Sequence, residues 1–255
     1  MSKKRTKEKE VLSKRQQRRE ELRKKERQQR ILIIAAVVVV AGLIIGLIAL
    51  PALKKPGTPQ INFTEVTPVS YATANGTTLG DPNSKVVIDV FEDFQCSACA
   101  VYTEQIEPRV LSEIVEAGKA YYVFHQYSFE PDADPTLQES DNAAMASECA
   151  AEQNRFWDYK NILFVNQTSV EGQYSDERLE TFAESLDLDM DQFLACYKER
   201  RYQNKLDEGY NLVQQVGVKG TPSFYINGVN VSPGKVPSFE DILQAVEEAL
   251  ASGSN

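Results

Sequence analysis

The sequence has few of the residues on which most metal and nucleophilic sites depend. Its only histidine, His125, excludes a metal site built from several histidines and is the sole residue that could complete a Ser/His/Asp triad. The four cysteines are Cys96, Cys99, Cys149 and Cys196. None precedes residue 96, so a lipid anchor on an N-terminal cysteine is not expected. We also predict no bound metal and no cofactor.

The positive charges are concentrated at one end of the chain. Residues 1–30 hold 14 of the 28 Lys and Arg but only 5 of the 37 Asp and Glu, which gives a formal charge of +9. The other 225 of the 255 residues hold 14 basic and 32 acidic side chains, a formal charge of −18. A uniformly acidic soluble protein is therefore excluded.

An apolar segment separates the two charge blocks. Residues 31–50 are twenty residues without a charged or polar side chain, and a helix of that length spans about 30 Å, the thickness of the hydrocarbon layer of a membrane. A buried core helix and a cleaved signal peptide are the alternatives, but the apolar region of a signal peptide is usually about 7–15 residues long. We predict one uncleaved transmembrane helix at 31–50.

The basic residues also predict the orientation in the cell membrane. Flanks rich in Lys and Arg stay in the cytoplasm, so residues 1–30 are expected to form a cytoplasmic tail and the rest to be extracytoplasmic. The tail is expected to be solvated and partly helical, and its basic residues are compatible with contact with anionic lipids. No motif supports nucleic-acid binding. Residues 51–78, rich in Pro, Thr, Gly and Asn, predict a linker. Residues 79–255 suffice for one domain.

A pair of cysteines three positions apart lies between a strand and a helix. The predicted order is strand, Cys-x-x-Cys motif, helix, strand, at Lys85–Phe91, Cys96–Cys99, Ala100–Ala117 and Ala120–Tyr127. Pro108 should kink the helix. This context is typical of a thioredoxin-like redox site. Half of a zinc site is the first alternative, but no second cysteine or histidine pair completes four ligands; a structural disulfide is the second.

The position of the motif explains its expected chemistry. A thiolate attacks disulfides, and the N-terminus of a helix directs unpaired N–H groups and the positive end of the helix dipole at the sulfur of Cys96. Cys99, one turn later, can then attack a mixed disulfide on Cys96. We predict Cys96 and Cys99 as the catalytic residues.

A second motif and several longer stretches carry a resemblance to a known family. Thr221-Pro222 stands before a predicted strand in "GVKGTPSFYINGV", and "DFQCSAC", "EPRV…AGKAYYVFHQYSF" and "ECAAEQNRFWDY" complete the set. Together they resemble the DsbA-like, membrane-anchored thiol-disulfide oxidoreductases of the BdbD type, from about Asp81 to Leu250. The resemblance implies a cis-proline loop that binds substrate through Thr221 and Pro222.

The resemblance also implies the fold class, an α/β thioredoxin fold with a helical insertion at about 134–215, here preceded by the transmembrane helix. Four helices are predicted in this region: Leu137–Gln153, Phe156–Asn166, Asp176–Leu186 and Asp191–Val216. Cys149 and Cys196 lie on two of them. The resemblance supports a structural disulfide between these two cysteines, and two buried free thiols are the alternative.

The sequence departs from the family at two places. Relatives often carry Pro-His between the cysteines, where this chain has Ser97-Ala98, and many place an acid at the position of Val90. Glu92 shares the face of Val90 and is the candidate proton acceptor, whereas Asp89 should point to the other face. His125 is expected to lie in a strand with no aspartate nearby. Because Glu92 and Asp93 stand close to the motif, their negative charges are expected to oppose a thiolate on Cys96. The pKa of Cys96 is therefore expected below that of a free thiol, but less so than in relatives with histidine.

We favour a dithiol oxidase that passes the Cys96–Cys99 disulfide to reduced secreted proteins. The resemblance implies that a quinone-linked membrane partner, of the DsbB or vitamin-K-epoxide-reductase type, reoxidises it. The alternatives are a disulfide reductase or isomerase, and a non-catalytic thioredoxin-fold binding module.

Overall fold

The computed structural model describes Arg30 and residues 61–128, 138–168 and 170–252. Residues from Ile61 onward form one compact unit. Within the described ranges, no helix combines the length and the apolar character needed to cross a membrane. The transmembrane helix predicted at 31–50 lies outside these ranges, as do residues 1–29 of the predicted cytoplasmic tail.

A mixed sheet of five strands forms the centre of this unit, in the order β1, β3, β2, β4, β5. The strands are β1 (Thr78–Leu79), β2 (Val87–Glu92), β3 (Tyr121–Gln126), β4 (Ser223–Ile226) and β5 (Val229–Asn230). β2 pairs with β3 in parallel and with β4 antiparallel, so it is the middle strand. The run of β-branched and apolar residues that predicted this strand is therefore explained by its central position.

The helix that follows the motif is broken where proline predicts it. α1 (Ser97–Gln105) ends before Ile106, which leaves the helical region with φ −121° and ψ −47°. α2 (Glu107–Val110) has Pro108 in its first turn, where the missing N–H is tolerated, and a π-helical turn at Leu111–Val115 continues it. The kink predicted at Pro108 is confirmed.

The insertion between β3 and β4 is helical, as predicted. Its helices are α3 (Glu139–Ala151), α4 (Phe156–Val165), α5 (Asp176–Ser185), α6 (Met190–Lys198) and α7 (Gln203–Val216), and α8 (Phe239–Ser252) follows β5. The prediction of a single helix at Asp191–Val216 is wrong, because two helices occupy this region. The chain leaves α6 after Lys198, and Arg200 adopts a left-handed conformation with φ 48° before α7 begins.

The second half of the predicted linker packs against the insertion. The backbone N–H of Val69 donates to Asp158 Oδ1 at 2.6 Å, and the rings of Phe63 and Phe182 meet edge to face at 5.4 Å. The composition of 51–78 is typical of a linker, but apolar side chains in it have partners on the domain. The contacts with the domain thus begin well before residue 79.

Candidate active site

Cys96 lies at the N-terminus of α1, at the end of the loop that follows β2. It occupies the N-cap position with an extended backbone (φ −76°, ψ 116°), and its carbonyl accepts the N–H groups of Cys99 and Ala100 at 3.1 and 3.2 Å. Both cysteines are free thiols; Cys96 is 5% exposed and Cys99 is fully buried. An incoming thiol can therefore reach Cys96 and not Cys99.

The loop before β4 lies opposite Cys96. In the sheet register, Ser223 pairs with Phe91, so the two preceding residues stand beside the end of β2 where the motif begins. The Thr221–Pro222 peptide bond is cis, as the resemblance implies. The thiol of Cys96 donates to the Thr221 carbonyl at 3.3 Å.

The pKa values of the two thiols are shifted in opposite directions. The pKa of Cys96 is lowered from 9.0 to about 6, first by the hydrogen bond with the Cys99 thiol, against the raising effect of burial. The side chain of Thr221 and the backbone N–H groups of Ala98 and Cys99 lower it further. The pKa of Cys99 is raised well above 9.0, first by burial and next by the same hydrogen bond. Cys96 is therefore the thiolate at neutral pH, and Cys99 keeps its proton.

Glu92, the candidate proton acceptor, is buried beneath the motif at the end of β2. Burial raises its pKa from 4.5 to about 8, although Lys160 lowers it. Asp89, three residues earlier, points to the opposite face of the sheet and is partly exposed. Because Glu92 is protonated at pH 7, it adds little negative charge beside Cys96. This corrects the expectation that the charge of Glu92 opposes the thiolate.

A buried lysine and a second glutamate accompany Glu92, and sequence reasoning missed both. Lys160 Nζ, on α4, donates to Glu107 Oε2 at 2.6 Å and to Thr103 Oγ1 at 2.9 Å, and lies 3.9 Å from Glu92 Oε1. The Lys160 side chain is completely buried. The region thus holds the ion pair of Lys160 with Glu107 and a neutral Glu92. Burying this arrangement costs less free energy than burying three charged groups. No sequence pattern signals such a lysine, because Lys on a helix is normally exposed.

The helical insertion holds the loop that leads to Cys96. The carbonyl of Phe94 accepts from Gln167 Nε2 at 2.6 Å and lies 2.9 Å from the hydroxyl of Tyr174. Asp93 Oδ1 accepts from Ser140 Oγ at 2.5 Å. These contacts come from three places in the insertion, so the insertion fixes the backbone immediately before the motif.

His125 does have an aspartate neighbour, which corrects the sequence prediction. Its Nε2 lies 2.8 Å from Asp89 Oδ1, and its ring stacks on Phe91 at 4.5 Å. The parallel register pairs Phe91 with His125, so Asp89 is the diagonal neighbour on the same face. The pair lies on the face of the sheet away from Glu92.

Cys149 and Cys196 join α3 to α6. Their sulfur atoms are 2.01 Å apart, their Cα atoms are 5.7 Å apart, and 47 positions separate them along the chain. Both are fully buried. This bridge ties the insertion together and lies outside the Cys-x-x-Cys motif.

Curated proteins that are similar to this chain include an antiporter and a disulfide bond formation protein. The Na(+)/H(+) antiporter NhaA 3 of Salinispora tropica is 31% identical over 149 residues, which cover 58% of this chain but only 21% of that protein. The probable disulfide bond formation protein D of Bacillus cereus is 25% identical over 185 residues, or 71% of this chain and 81% of that protein. The second match therefore extends over most of both chains, and the first over a fifth of the relative.

A solved structure and a family model also match most of this chain. The oxidised BdbD of Bacillus subtilis aligns with a TM-score of 0.61 at 20% identity, covering 74% of this chain and 100% of that one. These matches confirm the resemblance to DsbA-like protein-disulfide oxidoreductases of the BdbD type. A family model described as Thioredoxin matches residues 72–248, which include the motif and the cis-proline loop. The chain belongs to the thioredoxin family.

Proposed function

We propose that this protein is a thiol-disulfide oxidoreductase anchored in the cell membrane that introduces disulfide bonds into secreted proteins. The observation that carries the proposal is the contrast between the two thiols, with the pKa of Cys96 lowered to about 6 and that of Cys99 raised. A thiolate of low pKa is a good leaving group. A substrate linked to Cys96 is therefore released readily as a disulfide.

The reaction begins with the Cys96–Cys99 disulfide. A substrate thiolate attacks Sγ of Cys96, the accessible sulfur; the S–S bond to Cys99 breaks, and Cys99 leaves with the electron pair. The substrate is then held in a mixed disulfide on Cys96. An extended substrate segment can pair with the backbone of Thr221 while this bond exists.

The second step releases the product. Another substrate thiolate attacks the substrate sulfur of the mixed disulfide, and Cys96 leaves as a thiolate. The substrate has lost two electrons and two protons, and the Cys96–Cys99 pair has gained both electrons. One proton resides on Cys99, and at pH 7 the other goes to solvent, because about 90% of Cys96 is ionised at a pKa near 6.

Glu92 is the proposed proton carrier for Cys99. The Cys99 thiol must lose its proton when the pair is reoxidised, and the charge of Glu92 is among the influences on its pKa. With a pKa raised to about 8, Glu92 can take up and return a proton near neutral pH. Its carboxyl group is buried, so it acts where solvent does not reach.

The proposed setting is the extracytoplasmic side of the membrane, with residues 31–50 as the anchor and 1–30 in the cytoplasm. The two-electron reduction in each cycle requires a reoxidant, for which we propose a quinone-linked membrane protein of the DsbB or vitamin-K-epoxide-reductase type. Deletion of 31–50 should move the protein from the membrane to the soluble fraction, while an unrelated apolar segment of equal length should retain it. A deletion variant that stays with the membrane would contradict the anchor.

The reduction potential of the Cys96–Cys99 couple tests the direction of the reaction. We expect a value nearer −120 mV than −270 mV; the reverse would indicate the reductase or isomerase. Cys99→Ala should trap mixed disulfides with reduced proteins, and the Cys96→Ala/Cys99→Ala variant is the matched control. Absence of any trapped substrate would support the non-catalytic binding module instead.

A further inference from the structure

A groove beside Cys96 carries positive charge in an otherwise acidic domain. Its volume is about 550 Å³, and it extends from Ala98, within the motif, along the Thr221–Pro222 loop to Lys219 and Lys235. None of the described residues that line it is acidic. The charge at the rim is therefore positive.

This charge is unusual for the chain. Beyond residue 60 the sequence has 12 Lys and Arg against 32 Asp and Glu, yet two of the 12 stand on this one groove. A general excess of acids would leave the groove neutral or negative if charges were scattered. The positive rim is a local exception next to the reactive sulfur.

Both lysines can interact with a ligand. Lys219 is exposed and forms no ion pair with another described residue. Lys235 Nζ lies 3.7 Å from Asp241 Oδ2, but the two side chains are 66% and 45% exposed. A pair as exposed as this is weak and easily exchanged for another carboxylate. Asp241 is not a lining residue of the groove.

We infer that this groove selects substrate segments in which Asp or Glu side chains flank the reactive cysteine. The inference rests on the proposed function and adds a substrate class to it. While the cysteine is linked to Cys96, an extended segment paired with Thr221 lies along the groove. Its acidic side chains then face Lys219 and Lys235.

The distant acids of the domain do not cancel this attraction. At physiological ionic strength the Debye length is about 8 Å, so a carboxylate inside the groove interacts mainly with the two lysines and with Asp241, which offsets part of the charge of Lys235. Charges at the rim of a binding site act chiefly on the association rate and make it dependent on salt. The expected selectivity is thus kinetic and strongest at low ionic strength.

Three unstructured dithiol peptides test the inference. They share one length and one pair of cysteines, and the residues flanking the cysteines are Asp, Asn or Lys. Oxidised full-length protein in detergent is mixed with each peptide, and the second-order rate constant is measured at low and high salt. We expect the Asp peptide to react about tenfold faster than the Lys peptide at low salt, with the ratio falling toward one at high salt.

Variants assign the effect to the two lysines. Lys219→Gln and Lys235→Gln should each reduce the Asp-to-Asn rate ratio, Lys219→Gln more strongly because Lys235 is shared with Asp241. This ratio cancels any change in the reactivity of Cys96 itself. Lys198→Gln, at an exposed lysine on α6 that does not line the groove, is the matched control.

The outcomes separate this inference from the proposed function. Equal rates for the three peptides would overturn the charge selectivity and leave the oxidoreductase intact. So would an Asp-to-Asn ratio that stays unchanged when Lys219→Gln and Lys235→Gln are combined. A ratio lost equally in Lys198→Gln would also overturn it, because the effect would then reflect net charge. No reaction with any peptide would instead refute the proposed function.

Discussion

The acidity of Cys96 predicts how the stability of the reduced protein changes with pH. Its pKa is lowered from 9.0 to about 6 on folding. A lowered pKa contributes stability that is fully present above the unfolded value, near pH 9, and is lost as the pH falls through 6. The oxidised protein lacks this titration. The unfolding free energy of the reduced form minus that of the oxidised form should therefore rise with pH.

The magnitude follows from the two pKa values. At 1.36 kcal/mol for each pKa unit, the thiolate stabilises the reduced form by about 0.4 kcal/mol at pH 6, about 1.4 kcal/mol at pH 7 and about 3 kcal/mol at pH 8.5. Glu92 works in the opposite direction: with a pKa raised to about 8, its contribution is lost as the pH rises through that value. Glu92 is present in both redox forms, so most of its effect cancels in the difference. Cys99, with its pKa raised well above 9.0, titrates above this range.

Urea unfolding of the oxidised and reduced forms between pH 6 and pH 8.5 measures the difference. We expect it to shift in favour of the reduced form by about 3 kcal/mol across this range. The reduced Cys96→Ser variant should show no such trend relative to the oxidised protein. A difference independent of pH would refute the low pKa of Cys96. It would also remove the argument for an oxidant, since about 1.4 kcal/mol at pH 7 corresponds to about 30 mV of potential.

Three further predictions concern other groups at the site and the disulfide of the insertion. If Glu92 accepts the proton of Cys99, the rate at which Cys99 attacks a glutathione mixed disulfide on Cys96 should rise as the pH passes 8, and Glu92→Gln should abolish that rise. The pH profile for alkylation of Cys96 should stay unchanged in the variant. A rise that persists in Glu92→Gln would exclude Glu92 as proton carrier. Thr221→Val, which keeps the carbonyl and removes the hydroxyl, should raise the pKa of Cys96 in a thiolate titration, because the Thr221 side chain is among the groups that lower it; an unchanged value would contradict this. Replacing Cys149 and Cys196 together by Ala should lower the unfolding free energy by about 4 kcal/mol for a 47-residue separation, measured in urea; no loss would show that the bridge does not stabilise the fold.

Patterns local in sequence predicted much of this structure. The β-branched run of β2, the Cys-x-x-Cys motif at the start of α1 and the kink at Pro108 each depend on a few neighbouring residues. The break between α6 and α7 escaped prediction because neither glycine nor proline marks it; Arg200 takes the left-handed conformation instead. Intrinsic propensity is a weak guide where tertiary packing decides.

Contacts between residues far apart in sequence could not be predicted. Lys160 lies 53 positions after Glu107, and the two meet because α4 packs against α1, whose end leads directly into Glu107. His125 and Asp89 are 36 positions apart and meet through strand register. The segment near Val69 has the composition of a linker, but Asp158 and nearby apolar residues bind it to the insertion.

An acidic domain can hold a thiolate because the acids nearest to Cys96 carry little free charge. Glu92 is protonated at pH 7, since burial raises its pKa to about 8. Glu107 is paired with Lys160 at 2.6 Å. Asp93 accepts hydrogen bonds from the Gln95 backbone at 2.9 Å and from the insertion. Composition alone predicted that acids beside the motif would work against the thiolate, but burial and pairing neutralise the two glutamates and hydrogen bonds engage the aspartate, so the N–H groups of α1 and the Cys99 thiol determine the charge state of the sulfur.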